Sequence, residues 1–235
     1  MKDKVVAIVP AAGLGRRFGP GTNKSFKTLM GKPLLLWALE TLETVDEITE
    51  IIPVLREEDM EKGVELFEKS GLSKIKRIAP GGKERQDSVY NGLKQVGDNT
   101  GIVVIHDGVR PLVGKNLIRE SIRQLRDCDG VIPGVPPKDT IKELKDSIVR
   151  RTLKRDSLWA VQTPQVFFYK ILYATYEKAM MDGFYTTDDA AIVERYGGRV
   201  KVIMGSYNNI KITTPEDLLI AEFLLSKKWK VRNGK

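Results

Sequence analysis

Short apolar runs alternate with longer amphipathic stretches along the whole chain. Residues 5–9, 50–55, 74–79, 101–105, 130–134 and 200–204 carry the apolar runs and read as strands. Between them, helical spacing of apolar positions marks residues 34–42, 56–69, 85–95, 115–126 and 169–181. Strands alternating with helices at this spacing predict βαβ units with right-handed crossovers. The first run, Val5-Val6-Ala7-Ile8-Val9, is apolar at every position rather than at every second one. A strand of that kind is covered on both faces, so the fold class is α/β: a doubly wound, mainly parallel sheet between helices. A last helix is announced by Thr214 as N-cap, Pro215 in the first turn, and Glu216 and Asp217 against the positive end of the helix dipole.

One segment breaks this rhythm. Residues 138–153 read KDTIKELKDSIVRRTL, with β-branched residues on either side of Lys145-Asp146-Ser147. Pairing of Thr140 and Ile141 with Val149 and Thr152 predicts an antiparallel hairpin with few core-forming side chains. It reads either as a solvated insertion or as an arm reaching a second subunit, because a lone two-stranded ribbon is marginal in water.

A chain of 235 residues is long enough for one large α/β domain or two small ones. Its 41% apolar and 30% charged content excludes wholesale disorder. Cys128 is the only cysteine, which rules out an intramolecular disulfide and a cysteine-built zinc site. No apolar run approaches the ~20 residues that span a bilayer. Pro10, two glycines and Arg16-Arg17 interrupt the first run too early for a signal peptide. We expect a cytoplasmic protein with no membrane partner. The net charge of +8 suits nucleic acid, an anionic surface or a phosphorylated small substrate. Basic residues are scattered, however, and Lys227, Lys228, Lys230, Arg232 and Lys235 crowd the C-terminus. The charge therefore argues for solubility and steering, and no nucleic-acid partner is expected.

Three loops carry the candidate chemistry. PAAGLGRRFG (10–19) follows the first strand, and its small residues let backbone amides approach a phosphorylated ligand. Phe18 stands where a dinucleotide fingerprint needs its last glycine, and the Walker A ending is absent. Arg16, Arg17 and Lys24 behind the loop suit a polyphosphate and the charge that develops in phosphoryl transfer; the bland reading is a tight turn with a solvated basic face. PGGKERQDSV (80–89) offers Gly81 and Gly82 for positive φ and Ser88 for a hydroxyl contact, or serves as a plain strand-to-helix turn. HDGVRP (106–111) places Asp107 and Arg110 just past a strand's carboxyl end, where ligands bind open α/β sheets. His106, the single histidine, lacks a visible partner and reads as a packed imidazole rather than a general base. Further along, Arg155, Thr163, Thr187 and Lys211 could converge on an anionic polyol. Asp188 and Asp189 read as a helix N-cap in preference to metal ligands. Trp159, Phe167 and Phe168 are expected in the core.

Taken together, PAAGLGRR with a downstream lysine, GGKERQDSV, HDGVRP, TLKRDSLWAVQTPQ, TDDA and NIKIT, in that order, resemble the 2-C-methyl-D-erythritol 4-phosphate cytidylyltransferase family over essentially the whole chain. The resemblance implies a single nucleotidyltransferase domain of Rossmann-like type over residues 1–235, with the hairpin at about 137–156 as a dimerisation arm. It implies transfer of CMP from CTP to methylerythritol 4-phosphate with Mg²⁺, a step of non-mevalonate isoprenoid synthesis, in a homodimer. Arg17 and Lys24 would stabilise charge on the triphosphate, and the ion would be held mainly by the CTP phosphates with Asp107 near it. The nucleotide would lie on Pro10, Ala11, Ala12, Gly13, Gly15, Gly82 and Lys83, with Ser88 and Gly108 close by. Asp107, Arg110, Thr163, Thr187 and Lys211 would hold the alditol phosphate, Lys211 also serving the α-phosphate, while Thr140 and Arg155 would come from the partner's arm, Arg155 counting among the catalytic cations. The alternative substrate is a pentitol phosphate such as ribitol 5-phosphate. Family members usually read Pro-Lys-Gln around the lysine; Asn23 and Ser25 flank Lys24 here, which predicts a less pre-set loop.

Overall fold

Continuous apolar sequence and central position coincide in β1 (Lys4–Pro10), which is hydrogen-bonded on both sides and almost wholly buried. The structure is a computed structural model describing residues 4–13, 15, 18 and 23–232. Its elements follow as β2 (Thr28–Leu29), β3 (Lys32–Pro33), α1 (Leu34–Glu43), β4 (Ile48–Leu55), α2 (Met60–Lys69), β5 (Ala79–Pro80), α3 (Arg85–Lys94), β6 (Thr100–Ile105), α4 (Lys115–Arg123) and β7 (Gly130–Val135). Then come β8 (Lys142–Lys145), β9 (Ile148–Thr152), β10 (Ala160–Val161), β11 (Gln165–Phe168), α5 (Tyr169–Met181), α6 (Asp189–Arg195), β12 (Val200–Met204) and α7 (Pro215–Arg232).

Among the described residues, eight strands form one sheet, in the order β10-β7-β11-β6-β1-β4-β5 with β12 also on β7. The β1–β4, β1–β6, β4–β5 and β7–β12 pairs are parallel. The pairs made by β10 and β11 are antiparallel. The doubly wound, mainly parallel reading therefore holds, with one reversed strand at its middle. Side chains of β1 divide as the pleat requires. Val5, Ala7 and Val9 face a layer containing Leu35, Leu39, Phe67 and Ile118, while Val6 and Ile8 face Leu93, Leu172, Tyr176 and Ile192. A third cluster, Leu29, Leu34, Val109, Leu112, Ile212 and Ala221, fastens the base of α7 beside the chain that leaves β6.

Several boundaries differ from the sequence pattern. The expected strand 74–79 shrinks to β5 with a single bridge from Ile75 to Ile51. Its charged residues turn to local partners instead: the Lys74 amide donates to Glu43, and Arg77 pairs with Glu50 at 2.7 Å. Helix 56–69 opens with a 3₁₀ turn and becomes α-helical only at Met60. The hairpin exists, but its register is Lys142 opposite Thr152 and Leu144 opposite Val149, so Thr140 and Ile141 precede the ladder. The turn at Asp146 (φ 50°) and Ser147 (φ 64°) has the paired positive φ of a type I′ hairpin, which sets that register. Trp159 is 39% exposed rather than in the core. It lies over Gly134, against the space a side chain there would fill.

Candidate active site

Every strand that runs parallel to β1 delivers its carboxyl end to the same edge, and the loops there are laced to the sheet by backbone hydrogen bonds. The Ala11 amide donates to the Val54 carbonyl (2.9 Å), Gly81 to Leu55 (2.6 Å), His106 to Ile8 (3.0 Å) and Gly108 to Pro10 (3.2 Å). Gly81 and Gly82 do not adopt the positive φ expected of them. They serve close approach: a Cβ on Gly81 would stand 2.4 Å from the Ala12 Cβ, and one on Gly82 would stand 2.2 Å from the Asp87 Cβ. Gly15, by contrast, does take a positive φ of 57°.

The loop after β6 holds a buried charge cluster. Asp107 faces Lys211 at 2.8 Å, Arg85 at 3.2 Å and Arg110 at 3.5 Å. Burial alone would push its carboxyl up, yet the Arg85, Lys211 and Arg110 charges together hold it far below the usual carboxylate range. Lys211 reaches this point because the Ile212 amide donates to the Val109 carbonyl (2.9 Å). Arg110 donates from Nη1 to the Asn209 carbonyl (2.8 Å), and its buried Nε has no hydrogen bond. The Asp107 amide donates to Thr163 Oγ1 (3.1 Å), so the Thr163 hydroxyl proton is directed to His106 Nδ1 (3.1 Å). The opposite nitrogen, Nε2, then carries the imidazole proton and faces the Arg110 carbonyl (3.4 Å). His106 is fully buried and packed, not placed as a base.

Arg85 joins this cluster to a second carboxylate. Its Nη1 and Nη2 grip Asp189 at 3.0 and 2.8 Å while Nε points to Asp107. Burial would lower the Arg85 pKa, but Asp189 and Asp107 outweigh it and raise it well above the ordinary arginine value. Asp189 also accepts from the Tyr176 hydroxyl, and its amide donates to Gln165 Oε1. Asp188 caps α6 by accepting from the Ala191 amide (3.2 Å), as the sequence pattern predicts. Beside Arg85 opens a cavity of about 530 Å³ lined by Lys83, Glu84, Gln86, Tyr185, Thr186 and Thr187.

Comparison with known proteins decides the family. Residues 5–227 match the family model described as 2-C-methyl-D-erythritol 4-phosphate cytidylyltransferase, IspD. The chain belongs to this family. It is similar to the cytidylyltransferase of that name from Syntrophus aciditrophicus, 46% identical over 229 residues that cover 97% of this chain and 98% of the relative. A second relative, from Geotalea uraniireducens, is 44% identical over 225 residues, covering 94% and 97%. The solved 4-diphosphocytidyl-2C-methyl-D-erythritol synthase of Anaerococcus prevotii superposes with a TM-score of 0.85 at 36% identity, covering 96% of this chain and all of that one. The Thermus thermophilus cytidylyltransferase superposes at 0.77 and 27%, covering 96% and 100%.

Within this chain the structure sorts the sequence-derived residues. Asp107, Arg110, Thr163 and Lys211 come together, and Thr187 lies on the wall of the cavity beside them. Ala11, Gly82 and Gly108 border the site, but their amides are committed within the protein, Gly82 donating to Ser88 Oγ (3.0 Å). Ser88 is buried and passes its own proton to the Glu84 carbonyl, so it shapes the glycine turn rather than offering a hydroxyl. Ala12 and Gly13 make no hydrogen bond among the described residues, and with exposed Lys83 they leave free amides at the edge. Lys24 opens a 3₁₀ turn, Lys24–Phe26, capped by Asn23. Arg17 lies outside the described residues. Thr140 and Arg155 are exposed on the arm, where Arg155 donates to the Lys138 carbonyl (2.9 Å). Arg85, Asp189, Gln165 and Asn209 were missed as site residues. The first sits inside GGKERQDSV and the last inside the NNIKIT stretch, but only the fold reveals that they meet. As for a metal, no cluster of three or more His, Cys, Asp or Glu side chains is placed to hold one among the described residues. Both Asp107 oxygens already face cations, so this carboxylate does not fit the part of a ready magnesium ligand.

Proposed function

We propose that this chain transfers the cytidylyl group of CTP to 2-C-methyl-D-erythritol 4-phosphate, releasing pyrophosphate. The observation that carries this reading is the shared edge: the loop after β1, the glycine turn after β5 and the Asp107–Arg110–Lys211 cluster after β6 are tied together at one edge of the sheet. The substrate's phosphate oxygen forms a bond to the α-phosphorus as the bond to the bridging oxygen of the leaving pyrophosphate breaks. That oxygen is already anionic, so no general base is required, consistent with a buried and packed His106. The catalytic problem is to bring two polyanions together, and cations fixed in advance answer it. Lys24 and Arg17 serve the triphosphate. Lys211 and the Arg110 guanidinium, which Asp107 holds in place, serve the alditol phosphate, Lys211 also reaching the α-phosphate, and Asp107 accepts from alditol hydroxyls. Backbone of Pro10, Ala12, Gly13 and Lys83 receives the cytidine, and Thr163 and Thr187 border the alditol. Mg²⁺ belongs to this reading as counter-ion of the triphosphate, held by its oxygens.

A homodimer is part of the same proposal. The arm exposes Leu144, Ile148 and Val149, which are 58%, 73% and 54% accessible, on a ribbon that would be marginal alone. Burying them against a second copy would bring Thr140 and Arg155 to the partner's site. We place the reaction in the cytoplasm; no described helix is long and apolar enough to cross a membrane. The test is pyrophosphate release from CTP and Mg²⁺, comparing methylerythritol 4-phosphate with ribitol 5-phosphate. Preference for the first supports the proposal, preference for the second replaces the alditol, and no release with either overturns it.

A further inference from the structure

The residues flanking Lys24 are buried polar groups, and both are fastened to the nucleotide loop. Asn23 is 4% exposed and Ser25 is 1% exposed. The Asn23 carboxamide makes three hydrogen bonds that tie the turn to its surroundings. Nδ2 donates to the Ala11 carbonyl (3.0 Å) and to Asp59 Oδ2 (2.8 Å), while Oδ1 accepts from the Ser25 amide (3.0 Å). Ser25 Oγ donates to the same Ala11 carbonyl (3.1 Å). Asp59 is fixed in turn by Arg56 Nε (2.9 Å), the residue that follows β4. The Ala11 amide is itself bound to β4 at Val54. One carbonyl of the loop after β1 therefore takes a hydrogen bond from the residue before Lys24 and another from the residue after it. The 3₁₀ turn between them is closed by the Phe26 and Lys27 amides on Asn23 and Lys24.

We propose that Asn23, supported by Ser25 and Asp59, is a positioning residue that sets Lys24 against the loop at residues 10–13. The proposal rests on the reading that Lys24 neutralises the nucleotide phosphates. Asn23 touches no substrate; it acts by fixing the lysine's backbone at a set distance from the loop on which the nucleotide lies. A satisfied buried polar network of this kind holds one geometry, because every alternative strands a donor or an acceptor away from water. The device replaces the stiffness that a proline before the lysine would supply, so the loop is pre-set by side chains where the sequence pattern suggested a looser one. An aspartate at position 23 would keep the cap on the Ser25 amide but lose both donors and face Asp59 with like charge.

The experiment is a mutant cycle on turnover with CTP and methylerythritol 4-phosphate, using N23A, N23D, K24A and the double variant N23A/K24A in the full chain. N23A and N23D should each lower kcat by about 10- to 100-fold, the scale expected when a catalytic group is displaced by about 1 Å. KM for CTP should change less. With Lys24 already removed, N23A should cost no more than about a further twofold, since the group it positions is gone. Losses that multiply in the double variant overturn the proposal and leave Asn23 as a structural residue only. Near-normal turnover of N23D also overturns it. Normal turnover of K24A alone defeats the reading of Lys24 and the proposal with it, and that single variant tells the two failures apart. Should N23A not fold, S25A removes one of the two donors to Ala11 and carries the same cycle with a smaller effect.

Discussion

His106 shows how one buried side chain ties the site to the stability of the fold. Burial drives its pKa down to about 4, against the opposing pull of the Asp107 charge, so it is neutral in the native protein at neutral pH. An unfolded histidine titrates near 6.5. Between these values the unfolded chain takes up a proton that the native state refuses. Stability is therefore complete above about pH 6.5 and falls as the pH drops to about 4, by roughly 3 kcal/mol in all. Asp107, whose carboxyl is held below the usual carboxylate range, adds its own loss only below about pH 5, so a comparison at pH 7 and pH 5 is free of it. Urea unfolding at pH 7 and pH 5 checks the expectation: the wild type should lose about 2 kcal/mol more than H106Q over that step. Parallel losses would mean that the imidazole is not held neutral. The single histidine was visible in the sequence, but its partner Thr163 was not legible as one, because it lies 57 positions further along the chain.

At the scale of elements, the site depends on two loops that touch. The turn joining β5 to α3 packs on the loop after β1 through Gly81, where a Cβ would come 2.4 Å from Ala12 and 3.3 Å from the Leu55 carbonyl. Neither neighbour is the free end of a flexible side chain, so G81A must push the loops apart. Overpacking of this kind costs about 1–3 kcal/mol. We expect KM for CTP to rise about tenfold in G81A while far-UV circular dichroism stays unchanged. An unaltered KM would show that the two loops do not jointly hold the nucleotide. The pattern of apolar runs placed both loops correctly at strand ends. It could not show that the glycines serve contact instead of positive φ, since that depends on which loop lies opposite.

For the whole molecule, the proposed dimer with shared sites would have a consequence that activity can read. If each site takes Lys24 from one subunit and Arg155 from the other, K24A and R155A dimers should each be severely impaired. Mixed subunits form heterodimers in which one site has both intact residues and the other has neither. Random exchange then restores roughly a quarter of wild-type activity, as two-fold symmetry requires. R155A alone should chiefly weaken use of the alditol phosphate. Failure of the mixture to recover, when exchange is shown by a size or affinity tag, would place Arg155 in its own subunit's site or outside it.

The sequence alone determined the alternation of strands and helices, the loops at the strand ends, the hairpin and the family, because local apolar periodicity and short ordered motifs are properties of neighbouring residues. It gave Asp107, Arg110, Thr163 and Lys211 as separate candidates. The tertiary structure decided which groups share a charge: Arg85 bridges Asp107 and Asp189, which lie 22 and 104 positions further along the chain, and the reversed β11 brings Thr163 and Gln165 to the same edge as β6. It also decided the hairpin register, the exposure of Trp159 and the use of Asn23 in place of a stiff backbone. The charge cluster and the Asn23 network are settled by which distant backbone or charge satisfies a buried polar group, and no local pattern records that.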